Sequence, residues 1–482
     1  MVKPSKILYL FVFLFLCGAG SEVCRDRARP KDGGFSTLAL SETDRPEGLS
    51  LHPQTPAYTT FGLDLKEYRL KNGLTLLMHE DHSAPIISLQ VWYNVGSRNE
   101  RPGITGLSHL FEHMMFKGSA RFGPEEHSRL VTLNGGNDNA FTTQDCTAYF
   151  ENLPNSRLEL AAELEADRMA SLRLTPETLA SEREVVKEER RLRVDNSLSG
   201  VLAEELYATA FSLHPYQWPV SGWTSDLDAI SLEDCQEFFL HYYAPDNATV
   251  LVLGDIDPEE TIRVIERHFG PIPSHKNGRP KEGITPETPQ RGERQANCYV
   301  STQFPWVVVA YHIPAATHPD VPALELLSSL LGEGRSARLY QKLIRGRMAL
   351  SFSTDVDKMK DPGLFTITVE GIQKGYTPED IESAVYAELE KLREERVSDR
   401  ELQKAKNQKE ARLIFGLQGN FIRGIRIGYS LTESGDPLFF LKVLERYRQA
   451  TAEELLRVAR EYFNRKNRVV VRLLPETWDK GP

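Results

Sequence analysis

Apolar residues recur with two different periods along this chain. YRLKNGLTLLM, residues 68–78, predicts two strands joined at Asn72-Gly73, because this dipeptide favours the tight turn of a β-hairpin. IISLQVWYNVG, residues 86–96, predicts another strand. Residues 105–117 then carry apolar side chains three and four positions apart, the spacing of a helix with one buried face. The pattern therefore predicts a fold that mixes strands with helices.

The second half of the chain repeats this pattern. PIISLQVWYNVGSRNERPGITGLSHLFEHMMFKG has a counterpart about 217 residues later, PWVVVAYHIPAATHPDVPALELLSSLLGEGRSARL. Near the ends of the two halves, YYAPDNATVLVLGD likewise parallels YFNRKNRVVVRLLPE. A repeat of this length is too long for a solenoid. It predicts an α+β protein of two homologous domains, each a mainly antiparallel β-sheet with helices packed on one face.

Two stretches without periodicity divide the chain. Residues 270–295 are rich in Pro, Gly and charge, which indicates an interdomain linker. Residues 21–60 have a similar composition and predict a flexible N-terminal arm. The predicted boundaries are therefore a first domain at 61–270, a linker at 271–295 and a second domain at 296–478.

The first twenty residues have the layout of a secretory signal peptide. Lys3 and Lys6 precede an apolar run, and the small residues around Ala19 follow it. A lipidated Cys17 or an uncleaved anchor is the alternative. No later stretch is apolar enough to span a bilayer, so we expect a mature protein without a membrane span, exported to the periplasm or secreted.

Composition narrows the class of protein. The 482 residues are 40% hydrophobic and 26% charged, which is typical of a globular protein. The formal net charge of −10 argues against a nucleic-acid surface, which needs clustered Lys and Arg. Four cysteines follow the leader without any CxxC pair, so cysteine ligation of a metal is not expected and no disulfide is identified: Cys24, Cys146, Cys235 and Cys298.

The segment HLFEHMMFKG carries the main candidate chemistry. On a helix, His109, Glu112 and His113 project from one face. Two imidazoles suit Zn²⁺, and the glutamate between them can stand beside a zinc-bound water and accept its proton. The alternative is a surface helix that happens to carry polar residues. The corresponding residues of the second half are Leu326, Ser329 and Leu330, so only the first half is expected to carry this chemistry.

A third metal ligand is expected from SEREVVKEERRL. Glu182 and Glu189 are two helical turns apart, with Val185 and Val186 between them, which places both carboxylates along one face. A solvated Glu/Arg-rich face is the alternative.

These motifs resemble the inverted zincins, the family of pitrilysin, insulin-degrading enzyme and mitochondrial processing peptidase (peptidase family M16). The HxxEH helix is followed 76 residues later by Glu189, and the likeness extends through most of residues 62–475. It includes LNGGNDNAFTTQDCTAYF, EREVVKEE, HPYQWPVSGWTSDLDAI and LLGEGRSARLYQKLIR. Length favours the short subfamily of two domains, with the LuxS/mitochondrial processing peptidase-like metallohydrolase fold.

The resemblance implies a zinc metalloendopeptidase with one Zn²⁺ per chain. It implies that His109, His113 and Glu189 are the ligands, that Glu112 is the general base, and that Glu182 supports the site. Zinc lowers the pKa of its water and polarises the scissile carbonyl, while Glu112 takes the water's proton and passes it to the leaving amine.

The resemblance also identifies how peptide is held. NGGNDNAFTT resembles an exposed strand edge to which substrate adds as a further strand, with Asn139 and Ala140 at the substrate-contacting positions. The alternative is a Gly/Asn-rich hairpin turn. Relatives contribute an Arg and a Tyr seven residues apart from the second half; here Arg345 is present, but Phe352 replaces the Tyr.

Because Phe352 lacks the tyrosine hydroxyl, this chain is expected to act together with a second subunit. We expect this chain to be the zinc-bearing subunit of a homodimer, or of a heterodimer with a paralogous subunit that carries the Arg/Tyr pair. Its other expected partners are peptides, and no nucleic acid is expected. The competing interpretation is a noncatalytic assembly or peptide-binding subunit, against which the intact His109, Glu112, His113 and Glu189 argue.

Overall fold

The computed structural model describes residues 49–51, 62–275 and 283–478. The predicted signal peptide at 1–20, Cys24 and most of the predicted arm at 21–60 lie outside these ranges. Within them, no helix is both long and apolar enough to cross a bilayer. Cys146 and Cys235 are buried, Cys298 is half-buried, and all three are free thiols.

A seven-stranded sheet forms the first half. Its spatial order is β1-β2-β3-β7-β4-β6-β5, and all neighbours are antiparallel except β3 and β7. The strands are β1 (Leu49–Leu51), β2 (Lys66–Arg69), β3 (Thr75–Glu80), β4 (Ile86–Tyr93), β5 (Asn137–Thr142), β6 (Thr147–Pro154) and β7 (Ala248–Gly254). The predicted hairpin at Asn72-Gly73 is confirmed, because β2 and β3 pair across it and Gly73 adopts a φ of +90°.

Helices cover one face of this sheet and form the core of the first half with it. The helices of this half are α1 (Leu107–Met114), α2 (Glu126–Leu133), α3 (Leu158–Ser171), α4 (Pro176–Arg190), α5 (Leu198–Ala210), α6 (Thr224–Ala229), α7 (Leu232–Tyr242) and α8 (Pro258–Phe269). A π-helical turn, Arg191–Asp195, follows α4 directly. The predicted helix at 105–117 is thus confirmed as α1.

The second half has a five-stranded sheet in the order β10-β11-β9-β12-β8, with β8 and β12 parallel. Its strands are β8 (Arg294–Val300), β9 (Trp306–Ile313), β10 (Ala349–Val356), β11 (Gly363–Ile372) and β12 (Arg468–Pro475). Its helices are α9 (Val321–Gly332), α10 (Pro378–Glu394), α11 (Asp399–Phe415), α12 (Asn420–Ser434), α13 (Phe439–Gln449) and α14 (Ala452–Tyr462). This order matches β5-β6-β4-β7-β3 of the first sheet, so the predicted α+β fold of two similar halves is confirmed.

Each half contributes one helix to the sheet of the other half, on the face that the sheet's own helices leave uncovered. Helix α5 of the first half packs on β8 and β12, where Leu202 and Leu206 contact the second sheet. Helix α12 of the second half packs on β4 and β7 of the first. There the Gln90 side chain donates to the carbonyl of Phe421 at 3.0 Å. The second face of each sheet is therefore covered by a helix of the other half. These apolar contacts join the two halves.

Close approach of α12 to β4 depends on glycine. A Cβ on Gly428 would lie 2.0 Å from the Trp92 ring, and one on Gly424 would lie 2.4 Å from the Gln90 amide. We expect Gly428→Ala to lower the free energy of unfolding by about 1–3 kcal/mol, because overpacking here outweighs the gain in helix propensity. Gly292→Ala is the matched control, since its Cβ would meet nothing within 4 Å. Urea unfolding of both variants measures the difference, and equal stability would contradict the packing described.

Residues 270–295 run between the sheets. The described part has no helix or strand before Arg294, but it is anchored: the Glu287 carboxylate accepts hydrogen bonds from the backbone amides of residues 212–214 at 2.8–3.1 Å. The Gln290 side chain donates to the carbonyl of Arg468 at 2.8 Å. The described part of this segment therefore contacts both halves.

Candidate metal centre

The beginning of α1 is fixed by carboxylates from outside the helix. The buried Glu100 accepts hydrogen bonds from the amides of Gly106, at 2.8 Å, and Ser108, at 2.7 Å. Asp226 accepts from the amide and the hydroxyl of Thr105. Gly106 has a φ of +87°, and a Cβ there would lie 2.6 Å from the Ser221 carbonyl. These contacts satisfy amides that a helix leaves without partners, and so they hold α1 in one position.

Three side chains from α1 and α4 converge at one point. The Nε2 atoms of His109 and His113 lie 3.9 and 3.3 Å from one oxygen of Glu189, Oε2. The possible ligand atoms of these three residues lie within 4.8 Å of one another. The predicted pair of imidazoles and the predicted carboxylate are therefore adjacent, although their helices are separated by two strands and two helices in the sequence.

This donor set fits zinc. Zinc–ligand bonds of about 2.0–2.1 Å in a tetrahedron place ligand atoms about 3.4 Å apart, close to the separations seen here. Two nitrogens and one carboxylate oxygen also leave a fourth position free for water or substrate. In the described part of the chain, Oε1 of Glu112 and Nδ1 of His109 are buried without a hydrogen-bond partner. Glu112 Oε1 is thus available to a group bound at the site.

Opposite pKa shifts distinguish the two histidines. Burial, reinforced by the neighbouring His113, lowers the pKa of His109 to about 3. Burial also disfavours a charged His113, but hydrogen bonds with Glu182 and Glu189 outweigh it and raise the pKa of His113 to about 9. Burial opposes ionisation of Glu189, yet contact with His113 and His109 lowers its pKa. The carboxylate is therefore ionised, as a metal ligand must be.

Glu182 lies behind His113 on the side away from Glu189. Its Oε2 is 3.7 Å from Nδ1 of His113, and its Oε1 is 3.2 Å from the Lys117 ammonium, which also binds Glu125 at 2.5 Å. Glu182 and His113 are both nearly inaccessible to solvent. This carboxylate directs Nδ1 toward itself and so leaves Nε2 facing Glu189.

We expect Glu182→Gln to weaken zinc binding about 10- to 100-fold, the usual loss when a group that orients a ligand histidine is changed. The amide keeps the size of the side chain but removes the charge shared with His113 and Lys117. Zinc titration against a competing chelator measures the change. Unaltered affinity would show that Glu182 has no influence on the metal.

Glu112 is held by a residue that the sequence did not single out. The hydroxyl of Thr142, at the end of β5, donates to Oε2 of Glu112 at 2.7 Å. Burial raises the pKa of Glu112 to about 7, although nearby His113 and this hydrogen bond favour the charged form. In NGGNDNAFTT, Thr142 lies two positions after Ala140, so strand periodicity places both on one face. That periodicity is the only signal that the sequence offers for this contact.

Replacing Thr142 with Val is expected to lower kcat for peptide hydrolysis about 10-fold or more, because hydrogen bonds to charged groups contribute about 1.5–3 kcal/mol. Thr142→Ser keeps the hydroxyl and is expected to retain most of the activity. Steady-state kinetics with equal zinc content compares the two variants. If Val and Ser behaved alike, the hydroxyl would have no part in holding Glu112.

Among the described residues, strand β5 is the last strand of the first sheet and pairs with β6 alone. Ala140 is buried, and Asn139 is half-buried. The predicted exposed strand edge and the predicted zinc group therefore lie side by side, joined by the hydrogen bond between Thr142 and Glu112.

Arg345 and Phe352 lie in the second half. Arg345 is exposed and donates to the Gln341 side chain at 2.9 Å. Phe352, in β10, is half-buried and packs against a hydrophobic core cluster. Neither Arg345 nor Phe352 takes part in the hydrogen bonds and ion pairs described above for His109, His113 and Glu189.

A second buried group of His and Glu residues also lies in the first half: His127, Glu151 and Glu165. Arg168 occupies it, pairing with Glu165 and lying 3.5 Å from Glu151, and its guanidinium stacks over the Tyr149 ring at 4.3 Å. The arginine supplies the positive charge that a metal would otherwise bring. We interpret this group as an internal ion-pair network.

Two family models match the chain. One, described as insulinase (peptidase family M16), matches residues 75–222, and the other, described as the peptidase M16 inactive domain, matches residues 229–409. The zinc protease PqqE of Helicobacter pylori is 33% identical over 437 residues, 89% of this chain and 96% of that protein. A probable mitochondrial-processing peptidase subunit beta of Arabidopsis thaliana is 25% identical over 83% of this chain and 76% of its own length.

Solved structures agree with these matches. The crystal structure of a protease from Helicobacter pylori, 32% identical, gives a TM-score of 0.82 and covers 86% of this chain and 100% of that one. A second crystal structure, of a protein from Alicyclobacillus acidocaldarius described as an M16-like peptidase, is 20% identical and shares the fold. Its TM-score is 0.77, and the match covers 88% of this chain and 99% of that one.

Proposed function

Because the chain belongs to peptidase family M16, we propose that it is a zinc metalloendopeptidase that hydrolyses peptides or unfolded protein segments. The observation that carries this proposal is the convergence of His109, His113 and Glu189 beside Glu112. These three residues hold one Zn²⁺, and Glu182 orients His113 from behind. The names of relatives such as the zinc protease of Helicobacter pylori support the same metal.

Zinc held by His109, His113 and Glu189 would supply a Lewis acid that lowers the pKa of water at the site and polarises the scissile carbonyl. Glu112 acts as the general base: Oε2 is fixed by Thr142, and Oε1 is free to accept the proton of the attacking water. Burial raises the pKa of Glu112 to about 7, so the protonated carboxyl forms readily and can deliver that proton to the leaving amine.

Peptide is held by the free edge of β5. Backbone groups at this edge pair with an extended substrate as one further strand, a mode of recognition that reads the main chain and so suits unfolded segments. The same strand ends at Thr142, so a peptide bond on this edge lies next to Glu112. Asn139 and Ala140 are the proposed substrate-binding positions.

We propose further that activity is highest in a dimer. Phe352 lacks the hydroxyl expected there, while Arg345 is exposed and free to reach a second molecule. A paralogous subunit with the Arg/Tyr pair supplies the missing donor, or a second copy of this chain supplies Arg345 alone. The Arabidopsis relative is named as a subunit beta, which supports an assembly of different chains. We also propose that residues 1–20 form a leader that directs export to the periplasm or the medium.

A quenched-fluorescence peptide assay tests the proposal. We expect hydrolysis that stops with a chelator and returns on addition of stoichiometric zinc. Mixing with a paralogous M16 subunit is expected to raise the rate, and an equal rate for the isolated chain would reject the two-chain arrangement. A zinc-loaded, folded chain that cleaves nothing, alone or mixed, would instead indicate a noncatalytic peptide-binding subunit.

A further inference from the structure

The second half contacts the first through a buried polar cluster close to the end of β5. The cluster consists of Arg98, Asp145, His214 and Tyr216 from the first half and of Lys360 and Asp361 from the turn between β10 and β11. Arg98, His214 and Tyr216 are almost fully buried, at 4%, 2% and 0% exposure, so these contacts are shielded from water and screening.

Asp361 is the second half's main contribution. Its Oδ2 lies 3.1 Å from Nε of Arg98 and 3.1 Å from Nε2 of His214. The tautomer of His214 follows from its other nitrogen, because Nδ1 accepts from the amide of Tyr216 at 3.1 Å, which leaves Nε2–H to donate to Asp361. The Asp361 amide in turn donates to the Tyr216 hydroxyl at 3.2 Å.

Asp145 is the first half's carboxylate in the cluster and contacts Tyr216, Arg98 and Lys360. Its Oδ1 accepts from the Tyr216 hydroxyl at 2.7 Å and lies 3.6 Å from Arg98, and its Oδ2 accepts from the backbone amide of Lys360 at 3.0 Å. Burial raises the pKa of Asp145. Removing a partner from such a site therefore leaves a poorly solvated group that must find new contacts by moving.

Asp145 belongs to the turn between β5 and β6, three residues after Thr142. The turn is also tied to the segment after β4, because the amides of Ser97 and Arg98 donate to the carbonyls of Thr143 and Gln144 at 3.2 and 3.0 Å. A short path thus runs from the Asp361 carboxylate through Arg98, whose amide donates to Gln144, to the β5–β6 turn and Thr142, which holds Glu112.

We propose that Asp361 and the Lys360 amide are positioning groups: they fix the β5–β6 turn, and thereby hold Thr142 against Glu112 and present the β5 edge to peptide. The second half then contributes to hydrolysis without placing a side chain at the metal. This inference rests on the proposed function, since its kinetic consequence requires that Glu112 act as the base.

Asp361→Ala tests it, with Asp361→Asn as the milder variant if Ala does not fold. We expect kcat/KM to fall about 10- to 100-fold, the scale of loss that a displacement of about 1 Å causes. KM rises because the β5 edge moves, kcat falls because Glu112 loses its support, and zinc content stays that of wild type. Arg338→Gln is the control: it removes an ion pair with Glu401 inside the second half and leaves both parameters unchanged.

Hydrogen exchange separates positioning from general stability. In zinc-loaded Asp361→Ala, amides of residues 137–146 are expected to exchange at least several-fold faster, while those of α3 keep their wild-type rates. Wild-type activity and exchange in this variant would overturn the proposal, and so would a uniform rise in exchange across the chain. If wild type hydrolysed nothing, the proposed function would fail, and local exchange alone would decide the positioning role.

Discussion

Replacing Glu112 with Gln is expected to reduce kcat for peptide hydrolysis about 10²- to 10⁴-fold, the range that general acid–base catalysis contributes. The amide keeps the shape of the side chain and still accepts the hydrogen bond from Thr142, but it cannot take a proton from water. Zinc content is expected to remain one per chain, because the proposed ligands His109, His113 and Glu189 are unchanged.

The matched control is Glu188→Gln, which neutralises an exposed carboxylate on α4 that pairs with Arg191. We expect wild-type kinetics from this variant. Stopped assays with metal analysis on the same samples compare the two substitutions. Near-normal turnover by Glu112→Gln would mean that another group accepts the proton.

The second large effect concerns Glu189. Glu189→Gln is expected to weaken zinc binding by more than the about 10- to 100-fold typical of supporting residues, because it changes a proposed ligand itself. Hydrolysis is lost in proportion to the bound metal. With free zinc at about 1,000 times Kd, linkage predicts about 4.1 kcal/mol of stabilisation for wild type, most of which the variant forfeits.

Glu184→Gln provides the comparison, since Glu184 lies on the same helix but is exposed and pairs with Lys187. It should bind zinc as wild type does. Thermal unfolding with and without zinc, together with competition against a chelator, measures both variants. If Glu189→Gln retained the wild-type affinity and zinc-dependent stabilisation, the third ligand would have to be another residue.

Local periodicity predicted the parts of the site that lie within single helices. His109, Glu112 and His113 share a face because they are three and four residues apart, and Glu182 and Glu189 share one because two turns separate them. The resemblance to a family then indicated that the two helices meet at one metal site. Neither period nor spacing alone states which faces meet.

The remaining contacts join segments that are distant in sequence. Glu100 caps α1 across a loop, Thr142 reaches Glu112 from another element, and the Lys360 amide reaches Asp145 across 215 residues, the difference of their numbers. Hydrophobic periodicity states that a face is buried but not what covers it. The exchange of α5 and α12 between the sheets was therefore not predictable.

The zinc site itself can be measured directly. We expect crystals of the zinc-loaded protein to give one anomalous peak at the zinc edge in the first half, about 2.0–2.2 Å from nitrogens of His109 and His113 and from an oxygen of Glu189. A well-ordered first half with no peak at this position, or with zinc bound elsewhere and Glu189 remote from it, would contradict the account.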